Sequence, residues 1–151
     1  MSTDTTTDTT TDTTTEATEG ATRHALRTEA APPPAGAYSQ GLAAGPYVYT
    51  SGLGPQDPAS GAVPEGIGAQ TAQVLANLAA VLAADGLSLA DVVKSTVHLQ
   101  HLRRDFAGFD AAYRTAFEAA GGPLPVRTTV GSDLMDILVE IDVVALRRTE
   151  D

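Results

Sequence analysis

Arg127, in the run PVRTTVG, is the side chain best equipped to hold a small anion, because a guanidinium fork pairs bidentately with a carboxylate and stays charged at any working pH. Downstream, Glu140 stands in ILVEIDVVAL, where apolar neighbours would favour the raised carboxyl pKa that proton transfer requires, while Asp142, two residues on along the same face, could repel it or neutralise Arg127 and is left out of the catalytic set. The competing readings are a structural ion pair from Arg127 to Glu140 or Asp142, and a solvated strand face for Glu140. Ser51 is not expected to be a nucleophile, since no histidine and acid motif accompanies it. His98 and His101 form an H-x-x-H pair, but a metal site needs three or four ligands, and with no cysteine in the chain no thiolate can supply them; no metal is expected. The same absence excludes a disulfide framework and a thiol nucleophile.

These groups must be carried by elements that alternate or wind. GAYSQGL, a turn at Ala43 to Pro46 and YVYTSGL read as a β-hairpin with Tyr38 and Ser51 on its two arms, preceded by an edge strand near HALRTEA. Ile67, Thr71, Val74, Leu75, Leu78, Val81 and Leu82 recur at helical spacing and predict a helix from about Glu65 to Ala84, closed by Gly86. Ser88 and Asp91 cap a short turn. VVKSTVHLQ then alternates Val93, Ser95, Val97 and Leu99 against Lys94, Thr96, His98 and Gln100, a strand with one buried face. Asp105 is the expected N-cap of a second helix whose core stripe is Phe106, Phe109, Tyr113 and Phe117. VRTTVG and ILVEIDVVAL, joined by a polar turn at Ser132 to Asp136, complete an α+β sandwich: a four- to six-stranded mixed sheet with two helices on one face.

The 151 residues suit one domain, and their 42% hydrophobic content is weighted toward alanine, which implies a thin core that burial between subunits would supplement. Residues 1–22, rich in Thr and Asp, are expected to be a disordered tail, and 23–151 the folded domain. A formal charge of -10 with nine scattered basic residues argues against nucleic acid as a partner. No signal-like segment and no apolar run near the ~20 residues that span a bilayer are present, so no membrane association and a cytoplasmic location are expected.

GAYSQG, YTSGLGP, AQTAQVLANLAAVLAADGLSLADVVKSTVHL, DFAGFDAAYRTAF, PVRTTVG and VEIDVVAL together resemble the Rid (YjgF) family, in order and spacing, from about Ala31 to Leu146. The resemblance implies a chorismate-mutase-like α+β fold in a compact homotrimer with sites in the clefts between subunits. It implies hydrolysis of enamine or imine acids such as 2-aminoacrylate to 2-keto acids and ammonia, without cofactor or metal. In that reading Arg127 anchors the substrate carboxylate, Glu140 binds or activates the attacking water, Tyr38 closes over the substrate, and Ser51 lines the pocket with Gly52 allowing close backbone approach. Asp110 stands where many members have asparagine, a change that costs affinity for an anion unless Arg127 or another donor compensates. Thr129 stands where bacterial deaminases carry cysteine. A non-catalytic binder of small carboxylates, an enzyme acting on another imine and, weakest, an endoribonuclease are the alternatives.

Overall fold

The computed structural model describes residues 22–148, so the expected tail, Thr22 apart, lies outside the described residues. The chain runs β1 (Arg23–Leu26), β2 (Gly41–Ala44), β3 (Tyr47–Thr50), α1 (Ile67–Ala83), a 3-10 turn (Leu89–Asp91), β4 (Val92–Leu99), α2 (Leu102–Ala120), β5 (Val126–Gly131) and β6 (Val139–Leu146). The strands form one mixed sheet in the order β1-β2-β3-β6-β4-β5. Only β4 and β5 pair in parallel, which is why the whole of α2 separates them: a parallel neighbour requires a crossover, whereas Gly45, in the left-handed region, suffices to turn β2 into antiparallel β3.

Alternation decides which side the helices cover. Val139, Ile141 and Val143 of β6, Ser95, Val97 and Leu99 of β4 and Val48 of β3 are buried beneath α1 and α2, together with Val74, Leu78, Val81, Phe109 and Phe117 from the helices. The opposite face is uncovered and carries Tyr47, Tyr49, Lys94, Thr96, His98, Val126, Thr128, Val130, Glu140 and Asp142. The α+β architecture with two helices on one face is thus the one the periodicities require.

Three local expectations are corrected. The β4/β6 register shifts between Val92 and Lys94, so Val92 is buried and Val93 exposed: a bulge moves the apolar set by one residue at that end. α2 begins at Leu102 rather than after Asp105, because Leu102, Arg103 and Arg104 already favour helix; Asp105 is a buried acid in the first turn, held bidentately by Arg104 at 2.9 and 3.0 Å. Tyr38 and Ser51 lie just outside the hairpin rather than on its arms. The Ser88 and Asp91 cap forms as a full capping box.

Two buried amides tie the loops to this frame. Asn77, 1% exposed, donates to the carbonyls of Gly54 and Gln56, each at 2.9 Å, and accepts from Gln73. Gln40, 2% exposed, accepts from Thr28 N and donates to the carbonyls of Thr28, Ala31 and Pro32. Asn77→Ala leaves two part-buried carbonyls without their donor and is expected to cost about 1–3 kcal/mol, read as a lowered urea midpoint. A change within about 0.5 kcal/mol would show that water replaces the amide.

Candidate functional site

Arg127 extends from edge strand β5 onto the helix-covered side of the sheet, where it pairs in register with buried Ser95. Its guanidinium carbon lies 4.7 Å from the ring centre of Tyr113, 5.1 Å from Phe109 and 5.7 Å from Phe106, so the exposed end of the α2 aromatic stripe forms its floor. Phe106 was expected in the core; it is 42% exposed because that floor is open to solvent at the sheet edge. Tyr113 is fixed by a 2.6 Å hydrogen bond to Ser95. Burial holds its phenol above the ordinary range and Asp110 adds to this, while the Ser95 bond and the Arg127 charge oppose it, so the ring stays neutral beneath the cation.

The acid that meets Arg127 is Asp110, not Glu140 or Asp142: Nη1 donates to Asp110 Oδ1 at 2.8 Å. Strand parity explains this, since Glu140 and Asp142 project from the other face of the sheet. Thr129, two residues beyond Arg127 on the same face of β5, is level with Val97. Arg127, Asp110 and Thr129 therefore form one group, at the edge where α2 crosses β5.

Glu140 belongs to a second group. After Tyr49 pairs with Val144, the next backbone pairing is Leu53 with Ile141, so Thr50, Ser51 and Gly52 lie opposite only Asp142 and Val143. Thr50 Oγ1 replaces the missing ladder acceptor by taking the Val143 N–H at 3.0 Å. The surplus residue pushes Ser51 and Gly52 out beside Glu140, as bulges near sites do. Ser51 is held through its N and Oγ by the Gln40 carbonyl, at 3.0 and 3.2 Å. A Cβ on Gly52 would stand 2.7 Å from Glu140 Oε2 and 3.1 Å from its Cγ, so the missing side chain is what admits the carboxylate. Gly52→Ala is expected to displace that carboxylate and lower turnover about tenfold or more while shifting Tm only a few degrees; unchanged turnover would separate Glu140 from the chemistry.

Tyr38 is half exposed, its hydroxyl accepting from Ala35 N at 2.9 Å, and it lies two residues before Gln40. Across from Glu140 on β4 is His98, whose Nδ1 is 2.6 Å from Ser132 Oγ, while His101 sits at the N-cap of α2. The carboxyl that burial pushes up on this open face is that of Asp142, with His98 and Lys94 pulling it back. A cleft of about 580 Å³ lies elsewhere, between the start of α1 and the Ser132 to Asp136 turn; Glu65, Asp133 and Asp136 line it, a poor receptor for an anion, and of the residues singled out in the sequence for chemistry it contains only His101. Among the described residues no three His, Asp or Glu side chains gather as a metal would require. No helix among them is long and apolar enough to cross a membrane.

The structure thus brings Arg127, Asp110 and Thr129 together on one side of the sheet, and Ser51, Gly52 and Glu140 together on the other. Sequence reasoning missed Gln40 and Asn77, whose side-chain amides tie down the 28–32 and 54–56 loops near the second group; the signal was Gln40 itself, inside GAYSQG.

The family model described as Endoribonuclease L-PSP matches residues 28–147. The chain belongs to this family, which is the Rid (YjgF) family. Among Rid relatives, 2-iminobutanoate/2-iminopropanoate deaminase of Salmonella typhimurium is 40% identical over 125 residues, covering 82% of this chain and 97% of the relative. A RutC family protein of Pyrococcus horikoshii is 41% identical over 123 residues, covering 80% and 94%. Among solved Rid structures, Escherichia coli TdcF with bound serine superposes with a TM-score of 0.79 at 33% identity, covering 83% of this chain and 99% of that one. The Escherichia coli YjgF gene product gives 0.79 at 37% identity, with the same coverage.

Proposed function

We propose that this protein hydrolyses 2-imino and 2-enamine acids, such as 2-aminoacrylate, to 2-keto acids and ammonia, in sites completed between copies of the chain in a homotrimer. The observation that carries the reading is the guanidinium of Arg127. Set within cation–π distance of three rings and bonded only through Nη1 among the described residues, it keeps its Nε and Nη2 protons for a carboxylate. The likeness to relatives named as imine deaminases supplies the substrate class.

Water attack on C2 of an imine needs a nearby group to take and return protons, and Glu140 beside the Gly52 backbone is placed for that work. On one chain Arg127 and Glu140 face opposite sides of the sheet, so a substrate held by the first meets the second only when another copy supplies it. A cyclic trimer does this, because each interface joins two different patches of neighbouring chains. The open sheet face supports the assembly: Tyr47, Tyr49 and Leu146 are exposed together on β3 and β6, and Val126 and Val130 at the β5 edge, apolar surface available to a neighbouring chain. No step here draws on a cofactor, and the chain's formal charge of -10 favours a small-molecule partner over nucleic acid.

The test couples a serine or threonine dehydratase to the protein and follows decay of the released intermediate. Faster formation of pyruvate or 2-oxobutanoate in its presence is expected; uncatalysed decay would return the protein to the class of carboxylate binders.

A further inference from the structure

An acid of the protein already occupies part of the anion receptor. Asp110 Oδ1 takes the Nη1 proton of Arg127 at 2.8 Å, and the ring centres of Tyr113, Phe109 and Phe106 lie 4.7, 5.1 and 5.7 Å from the guanidinium carbon. What is left for a bidentate ligand is the edge formed by Nε and Nη2, neither of which has a partner among the described residues. Arg127 and Asp110 are only 21% and 32% exposed, so water screens their charges incompletely. The other Asp110 oxygen is 3.9 Å from Arg114 Nη2, and Arg114 is largely exposed and shared with Glu118 at 3.5 Å, so the Asp110 charge is not cancelled from outside.

We infer that Asp110 sets the charge selectivity of the anchor: it presents the Nε and Nη2 edge of Arg127 to one carboxylate, and its fixed charge rejects ligands that carry a second. The first carboxylate gains two charged hydrogen bonds, which outweigh its repulsion by Asp110. A second carboxylate, a few ångströms away in a short dicarboxylic acid, meets the same repulsion, and the nearest other cation, Arg114, is already shared between Asp110 and Glu118. Neutral side chains are admitted, and cationic ones are favoured. For the proposed deaminase this assigns imines of neutral and basic amino acids as substrates and excludes those of aspartate and glutamate. The substrate assignment rests on the hydrolase reading; the charge selectivity does not.

Asp110→Asn is the matched probe, since an amide oxygen still accepts from Nη1 while the charge is removed. Calorimetry on the full chain would compare 2-oxobutanoate, with one carboxylate, and 2-oxoglutarate, with two. The unsubstituted protein is expected to prefer 2-oxobutanoate by at least about tenfold, and Asp110→Asn to bring the ratio to within about twofold. A ratio near one in the unsubstituted protein overturns the inference without recourse to the variant, as does a preference that survives Asp110→Asn or a failure to bind either acid. Turnover of 2-iminobutanoate, measured alongside, separates the two ideas: selectivity without turnover removes the hydrolase and keeps the filter, and turnover without selectivity does the reverse.

Discussion

Arg127→Ala is expected to abolish hydrolysis of 2-aminoacrylate while leaving the fold in place. A bidentate carboxylate draws two charged hydrogen bonds from the guanidinium, each worth about 1.5–3 kcal/mol, so kcat/KM should fall roughly a hundred- to ten-thousand-fold. The fold should survive because Arg127 lies on edge strand β5 and its one ion pair among the described residues, to Asp110, is partly solvated on both sides. Arg127→Lys restores the charge without the planar fork and should recover only part of the rate. Stopped kinetics beside a thermal melt decide the matter: normal turnover in a folded Arg127→Ala protein would remove the arginine from the mechanism.

The second large effect is a gain. Arg127→Ala and Glu140→Gln chains, each inactive when pure, are expected to recover activity when co-expressed. If every site takes Arg127 from one chain and Glu140 from its neighbour, random mixing leaves about half the arginine patches and half the glutamate patches intact, and so about a quarter of the sites whole. Were both groups used from the same chain, no mixture could exceed the sum of its parts. The placement of the two residues on opposite faces of one sheet makes the shared site the expected outcome.

Much of this arrangement is legible in the sequence. Val74, Leu78 and Val81 announce α1 because a helix buried on one side cannot hide its period, and Ile137, Val139, Ile141 and Val143 announce β6 for the same reason at period two. What escaped was what periodicity does not encode. The bulge that exchanges Val93 for Val92 is set by pairing with β6, and the early start of α2 by helix propensity outweighing a good cap at Asp105. Gln40 and Asn77 look like surface residues in a sequence, because an amide shows its burial only through the carbonyls it meets. Arg127 could be recognised as an anion receptor, yet its partner could not: Asp110 reaches it from α2, and only the packing of that helix over β5 decides between one carboxylate and another.

The strand order has a kinetic consequence. β6, last in sequence, is central in space, pairing with β3 on one side and β4 on the other. Tyr47 finds Leu146 and Val48 finds Ala145 only after nearly the whole described chain is in hand, a long loop closure that local helix formation cannot shortcut. During synthesis the hairpin of β2 and β3 and the parallel pair of β4 and β5 must wait as separate pieces with bare edges. Folding should therefore be slow relative to a helical bundle of this size, and the nascent chain most prone to aggregate in the interval before residues 139–146 are made.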